Sequence, residues 1–149
     1  MTACAKGPWP RVPVFDYHDI ANRLGFNPVG RPGEPYPDWV KQLRHRNGVY
    51  VIRDIESKQT LYVGESHSCR LYQTMTRHLQ QWNRDRFGSW GGEHIWHVCF
   101  RRDEVEIAIL RTPNSQRGAA RAKVIQDTLI LKLNPKFNLK LPEDNDVPF

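Results

Sequence analysis

Apolar and polar positions change period several times along the chain. Residues 48–55 (GVYVIRDI) and 60–64 (TLYVG) are short runs rich in β-branched and aromatic residues, separated by a polar turn; they predict a hairpin with its loop near 54–59. From 66 to 87 the period becomes helical, with Leu71, Met75, Leu79 and Trp82 on one stripe, and FGSWGG ends it. Two more β-rich runs follow, 94–100 (HIWHVCF) and 104–110 (EVEIAIL), with Arg101, Arg102 and Asp103 as the turn between them. A loop at 112–118 offers Asn114 or Ser115 as a helix cap. Helical spacing then returns through Ala122, Ile125, Leu129 and Leu133, until Pro135 stops it.

The first 46 residues read differently. Residues 1–14 are Pro-rich and predict an extended arm, and 15–26 predict a short helix capped by Asp16 and stopped by Gly25. Residues 27–39 are dense in Pro and Gly and read as loop, with a helical turn beginning at Trp39, Val40 and Leu43. The expectation is a small α/β (α+β) domain: a short, mainly antiparallel sheet flanked by two principal helices. It divides into an N-terminal extension (1–46), the domain (47–138) and a polar, acidic tail (139–149).

A chain of 149 residues suits one domain with a modest core. The excess of 22 Lys+Arg over 16 Asp+Glu gives a net charge of +6 and favours polyanionic partners, nucleic acid first. Three dispersed cysteines, Cys4, Cys69 and Cys99, form no CxxC pair and argue against a thiolate zinc site. With no apolar run of membrane length and no leader-like start, the expectation is a soluble, cytoplasmic protein without a membrane partner.

Two tripeptides share one shape, Gly48-Val49-Tyr50 and Tyr62-Val63-Gly64, on adjacent predicted strands. A helix bearing Arg70, Arg77 and Arg84 follows, and the last helix closes on Leu133-Asn134-Pro135-Lys136-Phe137-Asn138. This order resembles the GIY-YIG nuclease family, over roughly residues 47–138. The resemblance implies a metal-dependent phosphodiesterase on a small three-stranded antiparallel sheet. It assigns Tyr50 or Tyr62 to activating or orienting the attacking water, without choosing between them. An arginine of the first helix would stabilise charge on the phosphate, a task that suits the planar guanidinium. A glutamate of the second major helix would hold one divalent ion, Mg2+ or Mn2+, and a closing asparagine, matched by Asn138, would buttress the site.

Three departures stand out. The family arginine position falls near Tyr72, which leaves Arg70 as the nearest candidate and Arg77 as the second. The helix also carries His78, a candidate for an extra phosphate or water contact, with His67 a weaker one. Counting back from the LNP segment, the metal-binding glutamate falls on Gln126. A carboxamide has nearly the shape of a carboxylate but gives a cation only a dipolar oxygen, so metal binding should weaken while fold and DNA contacts survive. Gln126 is an engineered change, or a natural one in a family member that binds without cutting, or Asp127 supplies the acid in a shifted register; the helical offset of about 100° between neighbours counts against the last.

The expected function is therefore a DNA endonuclease of GIY-YIG type with one divalent ion per site, weakened or inactive as written. The alternative is a non-catalytic nucleic-acid-binding module on the same scaffold. Gly64, His67, Arg77, Arg84 and Trp90, the last in the Gly-rich FGSWGG stretch, are the candidate nucleic-acid contacts. Cutting both strands with one site per chain would need a homodimer or two encounters.

Overall fold

The computed structural model describes residues 17–80 and 99–138. In chain order these contain a 3-10 helix (Tyr17–Arg23), β1 (Asn27–Pro28), α1 (Asp38–Lys41), β2 (Asn47–Asp54), β3 (Thr60–Ser66), α2 (Leu71–Arg77), a second 3-10 turn (Arg102–Glu104), β4 (Val105–Thr112) and α3 (Gln116–Leu133). The class is α+β. The sheet is antiparallel, in the order β1-β4-β2-β3.

Four strands pair here, which corrects the expected three. The extra one is β1, where Asn27 and Pro28 lie opposite Ile107 and Glu106. Two residues are too few for a strand signature, and the Pro-rich surroundings read as loop. Proline has no N–H to give a ladder, so its place on an outer strand is the one the sheet tolerates. The expected α-helix over 15–26 is a 3-10 helix from Tyr17 to Arg23. Of the expected strand 94–100 only Cys99 and Phe100 are described, and neither is in a strand. Arg84 and Trp90 lie outside the described residues.

The central pairing is β2 with β3, where Tyr50 faces Gly64, Val51 faces Val63 and Ile52 faces Tyr62. The next pair is Arg53 with Thr60, so Leu61 is an extra residue in β3, a bulge. Alternation sorts the side chains into two layers. On one side Val49, Val51, Val63 and Ala108 pack against Ala122, Ile125 and Leu129 of α3, with Ile20 from the N-terminal 3-10 helix. On the other, Tyr50, Ile52, Val105 and Ile107 pack against Leu71, Met75 and Leu79, with Val29, Val40 and Leu43. The bulge places Leu61 and Tyr62 in this same second layer. Residues 20–43 thus contribute to both layers of the core.

Helix α3 begins where the sequence places it. Ser115 is the N-cap and its hydroxyl accepts from the Gly118 N–H at 3.1 Å. Gly118 is required there because a Cβ would collide with the Pro113 carbonyl. Asn134 ends the helix in the left-handed conformation at φ 49°, which asparagine tolerates better than most residues. Helix α2 starts later than the expected 66 and runs only from Leu71 to Arg77. Cys69 stands at φ 60°, outside helical space. The N–H groups of Cys69 and Arg70 are taken by the Asn47 and Ser66 side chains at 2.6 and 2.8 Å. Among the described residues no helix is long and apolar enough to cross a membrane.

Candidate functional site

Tyr50 and Tyr62 point to the same side of the sheet, diagonal to one another across β2 and β3, with ring centroids 6.2 Å apart. His78 is the C-cap of α2. Its Nε2 lies 2.9 Å from the Tyr50 hydroxyl, and its ring is 4.6 Å from that of Tyr62. Phe100 closes the cluster: its N–H donates to the His78 carbonyl at 2.6 Å. Tyr50 and His78 are 1% and 3% exposed, whereas Tyr62 is only partly buried. Tyr62 is thus the less enclosed residue of the two.

Gly64 makes the arrangement possible. It lies directly across from Tyr50, and an added Cβ would collide with the Cζ and hydroxyl of that side chain. The glycine of the second tripeptide thus provides the floor on which the tyrosine of the first lies flat. That is a local reason for the two motifs to occur together.

Burial pushes the Tyr50 phenol well above its ordinary 10.0; neighbouring Tyr62 adds to the rise, and the Arg77 charge opposes it. Tyr62 is also raised, by burial first, with Arg77 again opposing and Glu65 reinforcing. Both phenols therefore keep their protons at neutral pH. Tyr50 donates to Nε2 in the imidazole tautomer that carries its proton on Nδ1.

Arg77 and Arg70 occupy different positions. Arg77 is exposed and its charge acts on both phenols. Arg70 is the exposed N-cap residue at the other end of α2, and no such influence on the phenols joins it to them. His67 is exposed and pairs with Glu65 at 3.1 Å, and the Glu65 charge acts on both phenols. Asn138 clips the outer edge of β3: its carbonyl accepts from the Val63 N–H at 2.7 Å and its amide donates to the Val63 carbonyl at 2.9 Å. Phe137 N–H and Lys136 N–H donate to the Leu61 and Thr60 carbonyls. The LNPKFN segment thereby secures the strand that carries Tyr62 and the bulge beside it.

Gln126 is half-buried on the flank of α3, next to the buried Ala122–Ile125–Leu129 stripe. That helix covers the sheet face opposite to the one bearing Tyr50, Tyr62 and His78. Among the described residues no three His, Cys, Asp or Glu side chains converge on a common point. A hard divalent ion takes charged oxygens. The neutral amide at 126 does not fit that demand.

Asn47 and Phe100 are parts of the site's support that the sequence did not flag. Asn47 is buried and holds three segments: it accepts from Cys69 N–H, donates to the Pro113 carbonyl at 3.3 Å, and gives its own N–H to Asn114 Oδ1 at 3.0 Å. A polar residue opening an apolar strand is the only signal it offered. No family model matches the chain, and no curated protein matches it.

Proposed function

We propose that this chain is a DNA-binding protein built as a GIY-YIG-type endonuclease, with phosphodiester cleavage weakened or lost because residue 126 is glutamine. The observation that carries the reading is the Tyr50–His78–Tyr62 cluster seated on Gly64, beside the charge of Arg77. Two phenols from the paired tripeptides, one imidazole and one guanidinium at a single place are groups that can handle water and a phosphate.

Burial divides their roles. Tyr62, the less enclosed residue of the two, orients the attacking water through its hydroxyl oxygen. Tyr50 and His78 are positioning residues: their hydrogen bond fixes the imidazole against the Tyr62 ring. Arg77 takes the non-bridging phosphate oxygens, where a fork of N–H donors matches the developing charge. Water attacks phosphorus in line and the P–O3′ bond breaks; the proton that water gives up passes to solvent and the departing 3′ oxygen takes one up, giving 5′-phosphate and 3′-hydroxyl ends. A glutamate at 126 would be the residue to hold Mg2+ or Mn2+, a Lewis acid when bound; because α3 covers the sheet face opposite the phenols, the metal would have to act from the flank of that helix. Gln126 itself favours the second reading, a nucleic-acid-binding module without catalysis.

A nicking assay on supercoiled, single-stranded and branched DNA with Mg2+ or Mn2+ decides between them, run on this chain and on Gln126→Glu. The expected result is DNA binding by both and cutting by Gln126→Glu only. Adding Tyr62→Phe to that variant should abolish cutting and leave binding intact. If Gln126→Glu binds DNA and cuts none of the three forms, the nuclease reading is lost and the binding module stands.

A further inference from the structure

The two ends of the sheet differ in charge. At one end, the β2–β3 turn and the approach to β4 mix both signs: Asp54, Glu56, Asp103, Glu104 and Glu106 with Arg53, Lys58, Arg101 and Arg102, and Arg53, Lys58 and Arg101 are ion-paired there. At the other end three segments meet around Asn47: residues 42–48, 66–71 and 111–118, none of which contains an Asp or Glu; Glu65, opposite Val49 in the sheet, is paired with His67. They do contain Arg44, Arg46, Arg70, Arg111 and Arg117, and all five are exposed. Among the described residues none of the five makes an ion pair.

The guanidiniums stand on a braced platform. Arg46 offers its carbonyl to the Leu71 N–H at 3.1 Å, Asn114 Nδ2 donates to the His45 carbonyl at 3.0 Å, and Arg111 lies opposite Gly48 in the sheet. The Arg44 guanidinium rests 4.3 Å from the centre of the Tyr72 ring. Arg117 is in the first turn of α3, so the amino end of that helix adds partial positive charge at the same place. Five unpaired cations held by a hydrogen-bonded frame cost self-repulsion unless a polyanion meets them.

We propose that this end of the sheet is a docking surface for the sugar-phosphate backbone of nucleic acid, continuing the path of the strand beyond the phosphate at Arg77. The proposal rests on the nucleic-acid reading above. Helix α2 spans the two places, with Arg70 at its start and Arg77 at its end. Seven helical residues cover about 10 Å, or about three phosphates at roughly 3.4 Å of axis each. One strand can therefore touch both.

The test is fluorescence polarisation of labelled duplex and single-stranded DNA with the full chain, from about 50 to 200 mM salt, the range over which phosphate contacts dominate the change. Arg46→Ala/Arg117→Ala is compared with Lys132→Ala/Lys136→Ala, which removes the same charge elsewhere; thermal melts confirm that both pairs are folded. Two lost phosphate contacts should make the slope of log K against log salt shallower by about 1.8 on duplex, while the lysine pair leaves it nearly unchanged. Equal weakening by both pairs would mean that net charge alone acts, and overturns the surface. DNA binding unaltered by the arginine pair also overturns it, yet leaves the nucleic-acid reading standing. A chain that binds neither DNA form but is held by phosphatidylserine vesicles through the same arginines overturns both.

Discussion

Val49, Val51 and Val63 turn to one side of the sheet, and Tyr50, Ile52 and Tyr62 to the other. The same two strands, read at alternate positions, build two unlike layers. The layer under α3 is aliphatic and closed, with Val49, Val51, Val63 and Leu129 at 0% exposure. The layer under α2 mixes aliphatic packing with two phenols, an imidazole and a backbone close approach at Gly64. The difference teaches where function can be placed. The α3 layer asks only for volume and holds the strands flat. The α2 layer asks for particular groups at particular atoms, and can do so because the other layer supplies the anchorage.

The largest effect expected is on the aliphatic side. Leu129→Ala should cost about 2–5 kcal/mol in urea unfolding, the loss of a fully buried leucine plus its cavity. The Tyr50–His78 contact should still form in whatever fraction remains folded. Next comes Gly64→Ala, expected to cost about 1–3 kcal/mol by overpacking against the Tyr50 ring. Shortening the ring in Tyr50→Leu/Gly64→Ala should recover part of that cost, so the two changes are non-additive. Additive values would mean that the close approach is not the cause.

Asn138→Ala removes both hydrogen bonds to Val63 and should cost about 1–2 kcal/mol, with faster amide exchange at Val63. Tyr50→Phe removes one hydroxyl from a buried pair and should cost about 1 kcal/mol. Its sharper readout is the imidazole: the His78 ring nitrogen shifts in NMR should move, whereas Val51→Ala on the opposite face should leave them in place.

The smallest effect is in pH. The folded pKa values of Tyr50 and Tyr62 lie above the unfolded 10.0. Above pH 10 the unfolded chain loses phenolic protons that the folded one keeps, so the unfolded state binds fewer and stability falls as pH rises. Stability from this source is fully present below pH 10 and declines above it. Tyr50→Phe should flatten that decline more than a change at exposed Gln73 or Gln116 does, by thermal melts at stepped pH.

Much of the scaffold was legible beforehand because it depends on local spacing. The hairpin from β2 to β3, the capped start of α3 at Ser115 and its stop before Pro135 were all readable as period, cap and breaker. The paired tripeptides lie on adjacent strands as expected, and the register that sets Tyr62 opposite Ile52 puts both tyrosines on one face. What escaped is non-local. Strand β1 exists because β4 has a free edge beside it, and α2 is short because Asn47 and Ser66 side chains capture the N–H groups ahead of it. Asn47 itself gave no pattern, since its partners come from positions 69, 113 and 114.

The amino-acid sequence by itself determined the elements, the alternation that separates two layers, the net positive charge and the amide at position 126. Those follow from residue type and short-range period, which any reader can count. The tertiary structure alone decided which groups meet. It set His78 against Tyr50, put the Arg77 charge near both phenols, and placed Gln126 on a helix across the sheet from them. It also gathered acid-free stretches from three parts of the chain at one end of the sheet. Contacts of this kind depend on register, on a one-residue bulge at Leu61 and on buried side-chain bonds between distant segments, and those are fixed only when the whole core closes.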